Sequence, residues 1–95
     1  MKIFRWNDAK SAQVKRERGT GFEEVVAAIE RGRLLDVLKH RNVAPYPHQS
    51  ILVVARGNYV YLVPFVEEAR GYFLKTIIPR RKATRDYLKN GAIDA

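Results

Sequence analysis

The chain predicts an α+β fold, a single unit with two N-terminal helices on an antiparallel sheet and a short cationic helix closing it. Three observations carry this reading. Two capped segments follow one another over residues 8–31, each ended by a glycine. Between Leu34 and Ile78 come four runs rich in β-branched and aromatic residues, two of them joined by Gly57-Asn58. A strand pattern then stops at Pro79 and gives way to Arg80-Arg81-Lys82-Ala83-Thr84-Arg85-Asp86-Tyr87-Leu88. At 95 residues the whole chain, 1–95, is expected to form one domain, and 46% hydrophobic residues suffice for one core.

Lys2 to Trp6 alternates and predicts a short strand. Asn7 is an N-cap for a helix over Asp8–Arg18, with Asp8 in the first turn, where the helix dipole favours an acid. Gly19 is its stop. This helix is polar, with Ala9, Ala12 and Val14 as its small apolar residues; weak packing is expected, with Lys10, Lys15, Arg16 and Arg18 turned to solvent. Thr20 and Glu23 have capping-box spacing. Phe22, Val25, Val26 and Ile29 then form the apolar face of a helix over Gly21–Arg31, ended by Gly32. Glu23, Glu24 and Glu30 lie on its exposed side.

Leu34 to Leu38 predicts a strand, interrupted by Asp36. Arg41 to Gln49 contains Asn42, Pro45 and Pro47 and reads as a loop. Ile51–Arg56 and Tyr59–Val66 flank a two-residue turn whose conformation Gly57 and Asn58 tolerate. Both faces of Tyr59–Val66 are apolar, so this strand is expected to be central. Pro64 conflicts with that, because it removes a ladder hydrogen bond, and a bulge or local free edge there would reconcile the two. Glu67–Gly71 makes a turn, Tyr72–Ile78 another strand, and Arg81–Leu88 the last helix, closed by Asn90-Gly91. The expected order is β-α-α-β-β-β-β-α.

A net charge of +8 implies a polyanionic partner: RNA, DNA, an acidic protein or an anionic membrane. There are no cysteines, which excludes disulfides, thiolate catalysis and cysteine-built zinc sites, and is compatible with the cytoplasm. No apolar h-region follows Met1-Lys2-Ile3-Phe4-Arg5-Trp6, so no secretory signal is expected. No apolar run approaches the ~20 residues of a membrane-spanning helix, and no membrane partner is expected. A phosphate-cradling Gly-rich loop closed by Lys-Ser or Lys-Thr is missing. With two histidines and no cysteine, no metal or other cofactor is expected.

The four cations at the last strand-to-helix junction have two readings: a solvated helix face, or a phosphate site, since arginine forks match phosphate oxygens. Metal-free RNA cleavage needs groups that accept a proton, donate one and stabilise the extra charge on phosphorus. His40 and His48 have the side chains that titrate near neutrality. Tyr87 is either a proton-transfer group or an aromatic that anchors the helix. Lys75 is either an RNA contact or a lysine on a solvent face. Tyr46, Tyr59, Tyr61, Tyr72 and Tyr87 are candidates to stack on unpaired bases, with core packing the competing role for Tyr59 and Tyr61. A small DNA-binding regulator is disfavoured, because the second helix is acidic where a DNA-reading helix would be basic.

The two ends of the chain resemble one family. Phe4-x-Trp6-Asn7-x-x-Lys10, a basic helix and then Gly21-Phe22-Glu23-Glu24-Val25 are similar to the opening of BrnT-type toxins. There a Trp-Asp pair precedes a Lys-bearing helix and a Phe-Glu-Glu segment opens the second helix. Ile77-Ile78-Pro79-Arg80-Arg81-Lys82-Ala83-Thr84-Arg85 resembles that family's closing strand and its Arg-Lys-Ala-Thr/Ser run. The resemblance spans nearly the whole chain. It departs at Asn7, which stands for the usual Asp, and at Tyr46-Pro47-His48-Gln49, where the family shows an acidic residue followed by Arg. No site residue is carried over from that segment.

The resemblance implies a RelE-like fold and a ribonuclease toxin of a type II toxin–antitoxin pair. It also implies a cognate antitoxin with a ribbon-helix-helix DNA-binding part, operator DNA being reached only through it. On this reading Arg81 and Arg85 bind the phosphate, His40 and Tyr87 transfer protons, and Arg56, Lys75, Arg80 and Lys82 guide the RNA. The competing expectation is a non-catalytic module that binds RNA or the antitoxin alone.

Overall fold

A computed structural model describes the backbone of residues 3–43 and 46–88 and the side chains of residues 3–39 and 50–88. The elements in chain order are β1 (Ile3–Arg5), α1 (Asp8–Arg18), α2 (Phe22–Glu30), β2 (Leu34–Val43), β3 (Tyr46–Arg56), β4 (Tyr59–Glu67), β5 (Gly71–Leu74), β6 (Ile78–Pro79) and α3 (Arg81–Leu88). The strands form one sheet in the order β1-β5-β4-β3-β2, with β6 also pairing β4; it is mixed where an antiparallel sheet was expected, because β1 joins β5 in parallel. The fold is α+β. No described helix is long and apolar enough to cross a membrane.

Local signals set the helices. The Asn7 side chain accepts from the Lys10 N–H at 2.9 Å, and Gly19 ends α1 at φ 76°, a left-handed conformation that glycine takes without a Cβ clash. The start of α2 differs from the expected Thr20–Glu23 box. Gly21 is the N-cap, and Glu24 reaches back to its N–H at 2.8 Å. Ser11 explains the shift: its hydroxyl accepts from the Phe22 N–H at 3.0 Å and donates to Glu23 at 2.7 Å. A side chain from α1 thus takes the capping role locally assigned to Thr20. Buried Thr20 instead accepts from Arg56 Nη1 at 2.9 Å.

The side chains of each strand alternate between two covered faces. Val14, Phe22, Val25 and Ala28 of α1 and α2 pack against Leu52, Val54, Val63 and Phe65 on one face. Trp6 stacks on Phe22 at a centroid distance of 6.0 Å. On the other face Ala83 of α3 meets Val53 and Val60, with Leu35, Leu38, Leu62, Tyr87 and Leu88 around them.

The expected loop over Arg41–Gln49 is mostly strand. Arg41 pairs with Gln49 and Val43 with Tyr46, across two register irregularities. The β3–β4 register begins only at Ser50↔Phe65, so the Pro47 segment has β2 as its neighbour and no β4 ladder to break. The expected strand Tyr72–Ile78 is split into β5 and β6, which pair successively with the second and first halves of β4. Pro64 stands at the break: its carbonyl accepts from the Lys75 N–H at 2.8 Å, where the chain passes from one pairing to the other. The missing proline N–H therefore costs no ladder bond, and β4 stays central.

β1 lies parallel to β5, with Ile3 opposite Gly71. A Cβ on Gly71 would come within 2.0 Å of the Ile3 carbonyl oxygen, so this glycine is fixed by the close approach of two backbones. The expected closure at Asn90-Gly91 lies outside the described residues.

Candidate functional site

The cationic segment is held to the sheet by its uncharged residues. The Arg80 N–H donates to the Val60 carbonyl at 3.1 Å, continuing the pairing of β6 with β4. Thr84 accepts from the Val60 N–H at 2.9 Å and donates to the Arg80 carbonyl at 2.9 Å, so one hydroxyl joins helix, helix cap and strand. Ala83 is buried on Val53 and Val60. Tyr87 is half-buried, and its hydroxyl donates to Asp36 of β2 at 2.9 Å. Asp36 also accepts from the Val37 N–H at 2.8 Å.

This anchoring decides what α3 displays. With Ala83, Thr84, Tyr87 and Leu88 turned to the sheet, helical periodicity leaves Arg81, Lys82, Arg85 and Asp86 outside. All four are exposed, as is Arg80. Lys82 and Arg85 approach Asp86 at 3.6 and 4.0 Å, while Arg80 and Arg81 have no ion pair among the described residues. Between α3 and the sheet runs a groove of about 440 Å³. Its floor is Leu38, Val53, Leu62 and Ala83, and its polar rim is Arg80, Lys82, Asp86 and Tyr87.

The structure brings four of the expected site residues to one helix and one groove: Arg80, Lys82 and Tyr87 line it, and Arg81 opens the same helix. Arg85 lies on the outer side of that helix. His40 is two residues beyond Leu38 on β2, in a stretch where the register shifts; its side chain lies outside the described ones, as does that of His48. Lys75 is exposed on the α3 side of the sheet, its ammonium 5.6 Å from the centre of the Phe73 ring. Arg5 comes within 5.7 Å of the same ring and pairs with Glu68 at 2.8 Å. Arg56 stands apart. It shares the parity of Leu52 and Val54, and its bond to Thr20 puts it on the α1–α2 side.

Of the stacking candidates, Tyr61 and Tyr72 pack on the main core, Tyr72 with its ring centre 4.4 Å from that of Phe65. Tyr59 and Tyr61 meet edge to face at 5.6 Å. The side chain of Tyr46 is outside those described.

Asp8, Glu23 and Glu24 stand together where α1 meets α2, beside Lys15. The Ser11 hydroxyl bonded to Glu23 lowers that carboxyl below its ordinary value, and the Lys15 ammonium does the same for Glu24. Among the described residues no three His, Asp or Glu side chains converge where a cation would be held.

Sequence reasoning missed Asp36, Thr84 and Asp86. Thr84 lies inside the Arg-Lys-Ala-Thr run, and its position one turn beyond Arg80 is the signal for a hydroxyl reaching back to that carbonyl. Asp36 had a weaker signal, an acid interrupting an apolar strand. No family model matches this chain, and no curated protein or solved structure matches it significantly.

Proposed function

We propose that this protein is the toxin of a type II toxin–antitoxin pair, a RelE-like ribonuclease of the BrnT type. It cleaves RNA in the cytoplasm without a metal ion. A cognate antitoxin with a ribbon-helix-helix part covers it, and operator DNA is contacted through that antitoxin. The observation that carries this reading is the outward display of cations on a helix whose uncharged residues are spent on the sheet. The order of elements and the two terminal motifs support it as well.

In the proposed reaction the ribose 2′-hydroxyl attacks the adjacent phosphorus. Its proton passes to a base, for which His40 is the candidate. The 5′-oxygen leaves and takes a proton from Tyr87, giving a 2′,3′-cyclic phosphate and a free 5′-hydroxyl. Arg81 and Arg85 hold the non-bridging oxygens as charge develops. Arg80, Lys82 and Lys75 track the backbone on either side. The bond from Tyr87 to Asp36 must be exchanged for one to the substrate during the cycle.

Purified protein free of antitoxin is expected to cleave RNA in the presence of EDTA. A strict divalent-metal requirement overturns the mechanism, and so does full activity in Arg81→Ala. The engagement of Tyr87 by Asp36 favours a second reading, a non-catalytic module that binds RNA or antitoxin. Growth separates the two: induction of the protein alone arrests cells if it is an active toxin and leaves them growing if it is only a binding module.

A further inference from the structure

One group on the α3 groove is not explained by phosphate binding. Asp86 is an acid on a helix that otherwise displays cations, and it lines the groove with Arg80 and Lys82. A carboxylate there repels a polyanion, so its presence calls for a different contact. The fold holds it only weakly. Its ion pairs with Lys82 and Arg85 are long, at 3.6 and 4.0 Å, and its side chain is 48% exposed, so a ligand can exchange for them at little cost. Asp36, by contrast, is engaged by a backbone N–H and by Tyr87.

The surroundings define what Asp86 meets. The apolar lining, in which Leu38 and Leu62 are partly exposed, suits the face of a flat ring. Arg80 and Lys82 at the rim suit the phosphates that such a ring carries with it. A ring held between them presents its edge to the carboxylate, which accepts two hydrogen bonds side by side. Among unpaired RNA bases, guanine alone offers two adjacent donors on its Watson–Crick edge, N1–H and the N2 amino group. Adenine and cytosine offer one amino group beside an acceptor that a carboxylate repels. Uracil offers one imino group between two carbonyls. We propose that the groove beside α3 binds an unpaired guanine, with Asp86 accepting from its N1–H and N2–H. The proposal rests on the RNA-binding reading and adds to it a base preference and the residue that sets it.

The test uses short uridine oligonucleotides, 2′-O-methylated throughout so that they cannot be cleaved, carrying one central guanosine, inosine or cytidine. Inosine keeps N1–H and O6 and lacks only the amino group. Binding to the whole chain is followed by fluorescence anisotropy at low salt. The guanosine oligonucleotide is expected to bind about tenfold tighter than the inosine one. Asp86→Asn is expected to bring the two within about twofold of each other, whatever its added positive charge does to both. Arg80→Ala is expected to weaken both equally. Equal binding of guanosine and inosine by the parent protein overturns the proposal and leaves RNA binding standing. So does an unchanged ratio in Asp86→Asn, or tighter binding of the cytidine oligonucleotide. No binding of any oligonucleotide overturns the RNA reading itself.

Discussion

Tyr87 is the residue on which the two functional readings divide. Its hydroxyl bonds Asp36, and its ring packs against the cluster of Val53, Val60 and Ala83, so it holds the end of α3 to the sheet whatever else it does. Tyr87→Phe removes the hydroxyl and leaves Asp36 with one partner fewer. The expected loss of stability is about 1 kcal/mol, read from a denaturant titration. If Tyr87 also gives its proton to the leaving oxygen, cleavage falls by about 100-fold in a protein that is still folded. Retained cleavage with lowered stability assigns it to anchoring alone. Gly71 is decisive for a different reason. Gly71→Ala places a methyl group against the Ile3 carbonyl, and β1 or β5 must move. We expect a loss of at least about 2 kcal/mol, with the Arg5 contact to Phe73 disturbed in the same variant. An unchanged midpoint in urea would show that the two strands separate at no cost.

At the scale of elements, the α1–α2 corner carries a pH dependence whose sign follows from its hydrogen bonds. Glu23 and Glu24 both titrate below the ordinary value of 4.5 in the folded chain. Their contribution to stability is therefore complete above that value and is lost as pH falls through the folded one. Thermal midpoints should hold near neutrality and fall as the pH drops below 4.5. Glu24→Gln should flatten that fall, because the proton-sensitive ion pair with Lys15 is removed at every pH. A profile identical to the parent's removes Glu24 from the account.

This corner also marks where the sequence is legible. The bounds of α1 are readable because Asn7 and Gly19 act on their immediate neighbours. The β3–β4 turn is readable because Gly57, at φ 64°, is a local requirement. The start of α2 is displaced by one residue because Ser11, in the preceding helix, supplies the cap. The split of the last strand is settled by β4, which changes partners at Pro64. The cationic run is visible in sequence as composition. Its contact between Tyr87 and Asp36 joins residues 51 positions apart and leaves no local trace.

At the scale of the molecule, the cations of α3 stand on one side of the sheet, and on the other the acids that open α2 lie beside the basic last turn of α1. Two helices were expected to cover one face and leave the other open. α3 takes part of the second face, and the groove is the line along which its cover stops. Arg56 shows the limit of reading a site from charge alone. It is as cationic as Arg80, but alternation along β3 turns it to the opposite side, where it bonds Thr20.

The parallel pairing of β1 with β5 also sets an order in time. β2, β3 and β4 join through neighbouring segments and assemble as soon as each turn closes. β1, which precedes the other strands in the chain, finds its place only when Gly71 to Phe73 have arrived. The segment that leads into α3 lies later still, and the Arg18 guanidinium, donating to the Ile77 carbonyl, ties it back to the first helix. The cationic face thus takes shape only after the strands that carry it have paired, so its display depends on a closed sheet.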